Sequence, residues 1–259
     1  MKKLLLPILI LIASVPVVAQ EKSTRDTKRE SRRNKINEMV KQEEEGVLVY
    51  HKQNIFAIQL RTNGFGGFYE LGRSKTPNVS MLYSIEFNET KHQKEDKKFV
   101  FFGNPYIYGK INNFYNLKLG VGQQRVLGQK GNKNGIAVMG VYSGGLSIGL
   151  LRPYYIRYNN GGFIETIKYS AADSAKFVDG PIDGAAGIGK GWGEMKIKPG
   201  AFAKAAIRFD WGRFNETVSG IEAGISAEFY AGKVPLMLFQ KESQFFFQGH
   251  LAILFGRRK

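Results

Sequence analysis

The chain contains no cysteine. That absence excludes disulfides, thiolate nucleophiles, thiolate metal sites and lipid attachment at a new N-terminal cysteine. Stability has to come from packing and hydrogen bonding. Histidine is scarce, with only His51, His92 and His250 present. Long apolar runs are missing too, because no segment after the first twenty residues reaches the roughly 18 uninterrupted apolar residues of a membrane helix. A chain of this composition that resides in a membrane does so as a barrel of strands.

What is present begins with a leader. Residues 1–19 combine Lys2 and Lys3, an apolar run from Leu4 to Ile12, and Val17 and Ala19 at the −3 and −1 positions of a cut before Gln20, the pattern of a secretory signal peptide. Pro7 and Pro16 interrupt the run, which is too short to remain as an anchor. Without Lys2 and Lys3 the chain keeps 36 basic residues against 22 acidic ones, a formal charge of +14. In an exported protein this favours anionic headgroups, lipopolysaccharide phosphates or an acidic partner, and makes nucleic acid a poor expectation.

Residues 20–46 are almost wholly polar, with Arg25, Lys28, Arg29, Arg32, Arg33 and Lys35 followed by Glu43, Glu44 and Glu45. Such a segment buries too little apolar area to offset its ordering entropy. It is expected to be a flexible periplasmic tail with at most a short helix around Ile36, Met39 and Val40.

Residues 47–259 change texture to glycine, aromatic and β-branched residues alternating with period two. Eight strands are expected: Asn54–Thr62, Phe65–Gly72, Val79–Phe87, Phe114–Gln124, Ile136–Leu150, Ala201–Trp211, Ser219–Ala231 and Phe245–Phe255. One face is apolar and aromatic, as with Phe56, Ile58 and Leu60. The other carries small and ionisable residues, among them Arg61, Glu70, Glu86, Lys118, Lys204, Arg208, Asp210, Glu222 and Glu228. Alternation alone does not distinguish a membrane barrel from a soluble lipid carrier with its aliphatic face inward, but the connections favour the membrane barrel. Short gaps near 73–78, 127–135 and 212–217 alternate with long ones at 88–113, 151–200 and 232–244, as in transmembrane barrels with tight turns on one side and long loops on the other. The fold expected is all-β: an eight-stranded antiparallel up-and-down transmembrane β-barrel filled by side chains, with both termini periplasmic. Asn63-Gly64 is read as a two-residue hairpin turn, and Gly120, Gly122, Gly149 and Gly224 as making room for interior charges. The basic end Gly256–Lys259 is read as a short tail that need not cross lipid.

At this point the pieces RTNGFGGFYELGR (61–73), KHQKE (91–95), YGKINNFYNLKLGVGQQ (108–124), YSGGLSIGLLRPYY (142–155) and GAAGIGKGWGEMKIKPG (184–200) resemble a group of small outer-membrane β-barrel proteins of Bacteroidetes, mostly without assigned activity. The resemblance implies a barrel and a location, and little chemistry. The chain departs from the aromatic ending of many outer-membrane proteins, since four residues follow Phe255.

Candidate chemistry is thin, and no catalytic, cofactor-binding or metal-binding residue is expected. Gly184 to Gly191 imitates a phosphate-binding loop, but Gly191 stands where a hydroxyl must meet magnesium. His250 is placed inside the barrel beside a carboxylate, although with a nearby serine it also offers a general base for a lipid-modifying hydrolase. Asp173, Asp179 and Asp183 follow no calcium-loop spacing. Phe99, Phe101, Phe102, Tyr106, Tyr108, Phe114, Tyr115, Tyr154, Tyr155 and Tyr158 are assigned to an interfacial girdle, with a sugar- or peptide-binding platform on the outer surface as the alternative. The function expected is a non-enzymatic structural or accessory component of the outer membrane. Its loops and tail would engage outer-membrane lipids, lipopolysaccharide or a protein partner of the envelope. The alternatives are the hydrolase and a soluble periplasmic lipid-binding barrel. Mass spectrometry of the exported protein should find Gln20 at its N-terminus; an intact Met1 would contradict the leader.

Overall fold

A computed structural model describes residues 24–44, 50–100, 103–131, 135–212 and 216–259; the expected leader lies outside them. In chain order the strands are β1 (Lys52–Arg61), β2 (Gly64–Thr76), β3 (Val79–Thr90), β4 (Lys97–Lys98), β5 (Tyr106–Ile107), β6 (Asn112–Gly128), β7 (Ala137–Pro153), β8 (Tyr155–Asn160), β9 (Phe163–Lys168), β10 (Ile182–Ala185), β11 (Lys196–Asp210), β12 (Thr217–Val234) and β13 (Ser243–Arg258). Two α-helices, α1 (Thr24–Glu44) and α2 (Ser174–Asp179), and a 3₁₀ turn at Trp192–Glu194 complete the list.

Eight of the strands close a ring in the order β1-β13-β12-β11-β7-β6-β3-β2. Every neighbour in the ring is antiparallel, and β1 pairs with both β2 and β13, so no edge is left open. All eight expected strands are present at the expected places, most of them longer by a few residues at one or both ends. β1 shows why the ring is inside out. Phe56, Ile58 and Leu60 are 52, 57 and 66% exposed, whereas Ala57, Gln59 and Arg61 between them are 0, 1 and 7% exposed. The same polarity holds around the ring, with Tyr83, Ile85, Leu119, Ile207, Ile225, Leu251 and Ile253 all exposed. Exposed aromatics mark both ends of this band: Phe65, Phe87, Phe245 and Phe247 toward the hairpin end, and Phe209, Trp211 and Phe255 toward the other. An apolar exterior with aromatic rims around a closed antiparallel ring is the construction of a transmembrane β-barrel. A soluble carrier would need the aliphatic face inward, and here that face is outward.

The interior is filled by paired charges. Arg208 donates to both oxygens of Glu70 at 2.9 and 3.1 Å, to Glu222 Oε2 at 2.6 Å and to Gln124 Oε1 at 2.9 Å. Glu222 also receives Lys204 at 2.7 Å and meets His250 Nε2 at 3.2 Å. Nearer the hairpin end, Lys118 bridges Glu86 at 2.8 Å and Glu228 at 2.7 Å, and Arg61 pairs with Glu228. Gln59 and Asn88 both donate to Glu86. At the opposite end Arg258 pairs with Asp210 and lies 4.9 Å from the centre of the Tyr50 ring. Apolar residues fill between these groups, including Ile55, Ala57, Phe68, Val218, Ala252 and Leu254.

Several expectations are corrected. The hairpin loop is Thr62-Asn63, because Arg61 pairs with Gly64. Gly64 answers a different need, since a Cβ there would lie 1.9 Å from the Glu89 carbonyl oxygen across β2 and β3. Gly120 and Gly149 make room for neighbours other than charges: a Cβ would lie 2.7 Å from Ser84 Oγ and 2.8 Å from the Phe202 ring at the first, and 2.7 Å from the Phe114 ring at the second. The basic end is no loose tail, because β13 runs to Arg258 and the Lys259 carbonyl accepts the backbone N–H of His51 and Lys52 at 2.8 Å.

N-terminal to the strands, α1 is a continuous helix of 21 residues rather than a short one. No glycine or proline interrupts this stretch, and lysine, arginine, glutamate and glutamine dominate it, all of them good helix formers. Its described side chains are exposed, Ile36 and Val40 included.

Replacing Arg208 by leucine strands two carboxylates in the interior. Removing one partner of a buried ion pair costs about 3–5 kcal/mol, so R208L should markedly lower the urea midpoint of the folded barrel in detergent, read by its heat-modifiable gel mobility. An unchanged midpoint would contradict the network.

Candidate functional site

The ring places three long connections and the tight Thr62-Asn63 hairpin at one end, and the short turns and both ends of the strand region at the other. Surface chemistry therefore concentrates at the long-loop end. There β8, β9 and β10 form a separate antiparallel sheet in the order β10-β8-β9. Gly161 and Gly162, with φ of 61° and 103°, make the β8–β9 turn, and positive φ at both central residues is the pattern of a type I′ hairpin turn. Tyr158 lies in this sheet, not in a membrane girdle. Phe177 of α2 is buried edge-on against Tyr169, with ring centres 5.7 Å apart.

The mouth of the barrel is capped. Val234, Leu236 and Met237 pack over Phe114, Leu151 and Tyr230, with Ile107 and Phe246 against them. Phe114, expected at the lipid interface, is instead fully buried under this cap. Backbone bonds knit two loops together: the Ile111 N–H donates to the Leu236 carbonyl at 2.8 Å, and the Leu238 N–H donates to the Gly109 carbonyl at 2.7 Å. Between them Lys110 donates to Glu95 Oε2 at 2.8 Å, both side chains almost fully buried, and lies 5.8 Å from the centre of the Tyr154 ring. Burial pushes the Lys110 ammonium below the ordinary lysine range while Glu95 pulls it back. Tyr154 is held in this contact and accepts the Ile107 N–H at 3.1 Å.

The glycine-rich segment 184–191 is fastened down rather than open to a phosphate. Arg152 donates to the Ile188 carbonyl at 2.6 Å, as does the Trp192 indole at 2.7 Å. The Ala185 and Ala186 N–H groups are taken by the Asn104 and Tyr155 carbonyls. Arg152 also lies 4.7 Å from the Trp192 ring centre and 5.6 Å from that of Tyr115. Tyr115 therefore belongs to a stack with Trp192 and Phe87 at the barrel rim.

A cleft of about 630 Å³ opens beside this segment. Lys168, Lys196, Lys198 and Lys233 line it together with Glu194, Glu242 and Tyr169, over Ile111, Leu151, Pro153 and Pro235. Glu194 accepts from Lys168 and, at 2.6 Å, from the Tyr155 hydroxyl. Lys168 first and Tyr155 second hold the Glu194 carboxyl below its ordinary value, and Glu194 correspondingly raises both partners.

The other singled-out residues do not converge here. His250 is inside the barrel on Glu222, His51 is exposed near the start of β1, and His92 caps a loop turn in which its N–H donates to Glu95 at 3.1 Å. Asp173 is bonded to Ser170, and Asp183 pairs with Arg157 at 2.7 Å. Among the described residues no group of three or more His, Asp or Glu is arranged to hold a metal ion. Phe101 and Phe102 lie outside the described residues. The lysine cleft was missed because Lys168 of β9, Lys196 and Lys198 of β11 and Lys233 of β12 lie far apart in sequence and meet only once the strands pair.

No family model and no curated protein matches the chain. Among solved structures it is similar to the N-terminal β-barrel domain of Pseudomonas aeruginosa OprF, at 11% identity over 80% of this chain and 98% of that one, TM-score 0.36. It is also similar to Neisserial surface protein A, at 10% identity over 81% and 97%, TM-score 0.38. A third is Ail, the attachment invasion locus protein of Yersinia pestis, in complex with the heparin analogue sucrose octasulfate, at 10% identity over 82% and 100%, TM-score 0.38. The class of this chain, an eight-stranded transmembrane β-barrel, follows from its own strand order and faces.

Glu95→Gln removes the charge that compensates buried Lys110, and the loss of a buried pair costs about 3–5 kcal/mol. Trypsin should then cut at Lys97 and Lys98 in the folded barrel at least tenfold faster than in the wild type; equal rates would show that the pair does not hold the loop.

Proposed function

We propose that this chain is a non-enzymatic outer-membrane β-barrel that serves as a structural or accessory component of the cell envelope. Both termini lie in the periplasm, the long loops lie outside, and loops and tail engage other envelope molecules. The observation that carries this reading is the inside-out ring: lipid-compatible side chains outside, a fully occupied polar interior, and all elaboration concentrated at one end. A packed interior of bidentate and bridging ion pairs suits a scaffold better than a channel. The resemblance of five sequence pieces to small outer-membrane barrels of Bacteroidetes points the same way.

Outer-membrane lipids and lipopolysaccharide are the nearest partners of such a barrel, and the net positive charge suits their phosphates. The basic α1 helix would offer a second contact, to inner-leaflet headgroups or an acidic periplasmic protein. The hydrolase reading is weakened by His250, which is engaged with Glu222 inside the barrel and away from the lipid-facing surface where an acyl ester would lie.

Two measurements test the proposal together. The protein should remain in the membrane after carbonate washing, and trypsin applied to intact cells should reach loop sites such as Lys97 and Lys190 while sparing Arg25 to Lys35. Release by carbonate would overturn the location, and cleavage of the tail in intact cells would overturn the orientation.

A further inference from the structure

We infer that the lysine cleft at the long-loop end is a binding site for a phosphorylated saccharide. Its volume of about 630 Å³ falls within the roughly 300–1,000 Å³ usual for small-molecule sites, enough for a sugar and its substituents. Lys196, Lys198 and Lys233 face it without an ion pair or hydrogen bond among the described residues, and the Lys198 ammonium stands 3.2 Å from where a Cβ on Gly232 would lie. Like charges that line one cleft repel one another, and an anion placed among them relieves that repulsion. Ammonium groups on flexible stems suit phosphate oxygens, which they meet as point charges.

The carboxylates refine the ligand class. A bare polyanion would be repelled by Glu194 and Glu242 on the cleft wall, whereas sugar hydroxyls can donate to them. Glu194 is already oriented by Lys168 and Tyr155. Tyr169 is held edge-on against Phe177 and offers an aromatic wall, while Ile111, Leu151, Pro153 and Pro235 supply an apolar one. Cations, acceptors and an apolar wall together describe a ligand with anionic groups, hydroxyls and a ring face. The same chemistry occurs in the saccharide headgroup of a membrane glycolipid and in a free sugar phosphate. Access to the outer leaflet rests on the orientation proposed above; binding to the purified barrel does not.

The test uses the purified chain folded in detergent, with its heat-modifiable mobility confirming the barrel in every variant. Glucose 1,6-bisphosphate is titrated calorimetrically in one arm, and in the other the barrel is captured on lipopolysaccharide-containing vesicles or on phosphatidylcholine vesicles. The expected result is binding in at least one phosphosaccharide arm and none to phosphatidylcholine. K196Q/K198Q/K233Q should weaken that binding at least tenfold, and K97Q/K98Q should leave it unchanged. Binding of the soluble bisphosphate assigns the site to free sugar phosphates as well; binding only to lipopolysaccharide vesicles assigns it to the glycolipid headgroup. In either case Glu242→Gln should weaken the saccharide and not inorganic pyrophosphate. No binding in either arm, or a triple variant that binds like the wild type, or a control that loses as much as the triple variant, would overturn the assignment. None of these results depends on where the protein resides in the cell.

Discussion

The rest of the structure depends on one interaction, the fork of Arg208 between Glu70 and Glu222. Its three side chains come from β11, β2 and β12 and are almost wholly buried, so they tie distant strands of the ring across its interior. A guanidinium presents several donors in a fixed plane, and here they are distributed over two carboxylates and the Gln124 amide. Lys204 and His250 complete the Glu222 side, and Lys118 with Arg61 repeats the arrangement nearer the hairpin end. Inside the barrel Arg61, Lys118, Lys204, Arg208 and Arg258 face Glu70, Glu86, Asp210, Glu222 and Glu228, so the formal charges balance apart from His250. The excess positive charge of the chain therefore lies outside the barrel interior.

The strands were legible because their period is two and the environment differs sharply between the faces. All nine ionisable residues expected inside are buried there, and alternation of short and long gaps gave the sidedness of the connections. Phe114 was misplaced for a physical reason. It shares the buried face of Asn116 and Lys118, so alternation turns it inward, whereas its aromatic character by itself matches that of a rim residue. The β8–β9–β10 sheet was hidden within a stretch read only as loop because its strands have only 6, 6 and 4 residues, although Gly161-Gly162 was available as a turn signal. Arg258 was read as a loose end because four polar residues after a strand resemble a tail; its partner Asp210 lies 48 positions earlier in the sequence. α1 is longer than burial arguments allow because local propensity, not an apolar face, favours it.

The two ends of the barrel differ in construction. The cap of Val234, Leu236 and Met237 seals the mouth over Phe114 and Tyr230, and Lys110 with Glu95 locks the neighbouring loop beneath it. With the interior occupied and the mouth closed, the surfaces left open at this end are those of the loops and strand ends, and the lysine cleft is concave among them.

The central claim is that the apolar face of the ring meets lipid. The absence of cysteine allows single spin labels to be placed without background, at positions 56 to 60 in turn, with the barrel in lipid vesicles. Collision with membrane-dissolved oxygen should be high at 56, 58 and 60 and low at 57 and 59. High collision with a water-soluble relaxant at 56, 58 and 60 instead would show that this face meets water and would contradict the account.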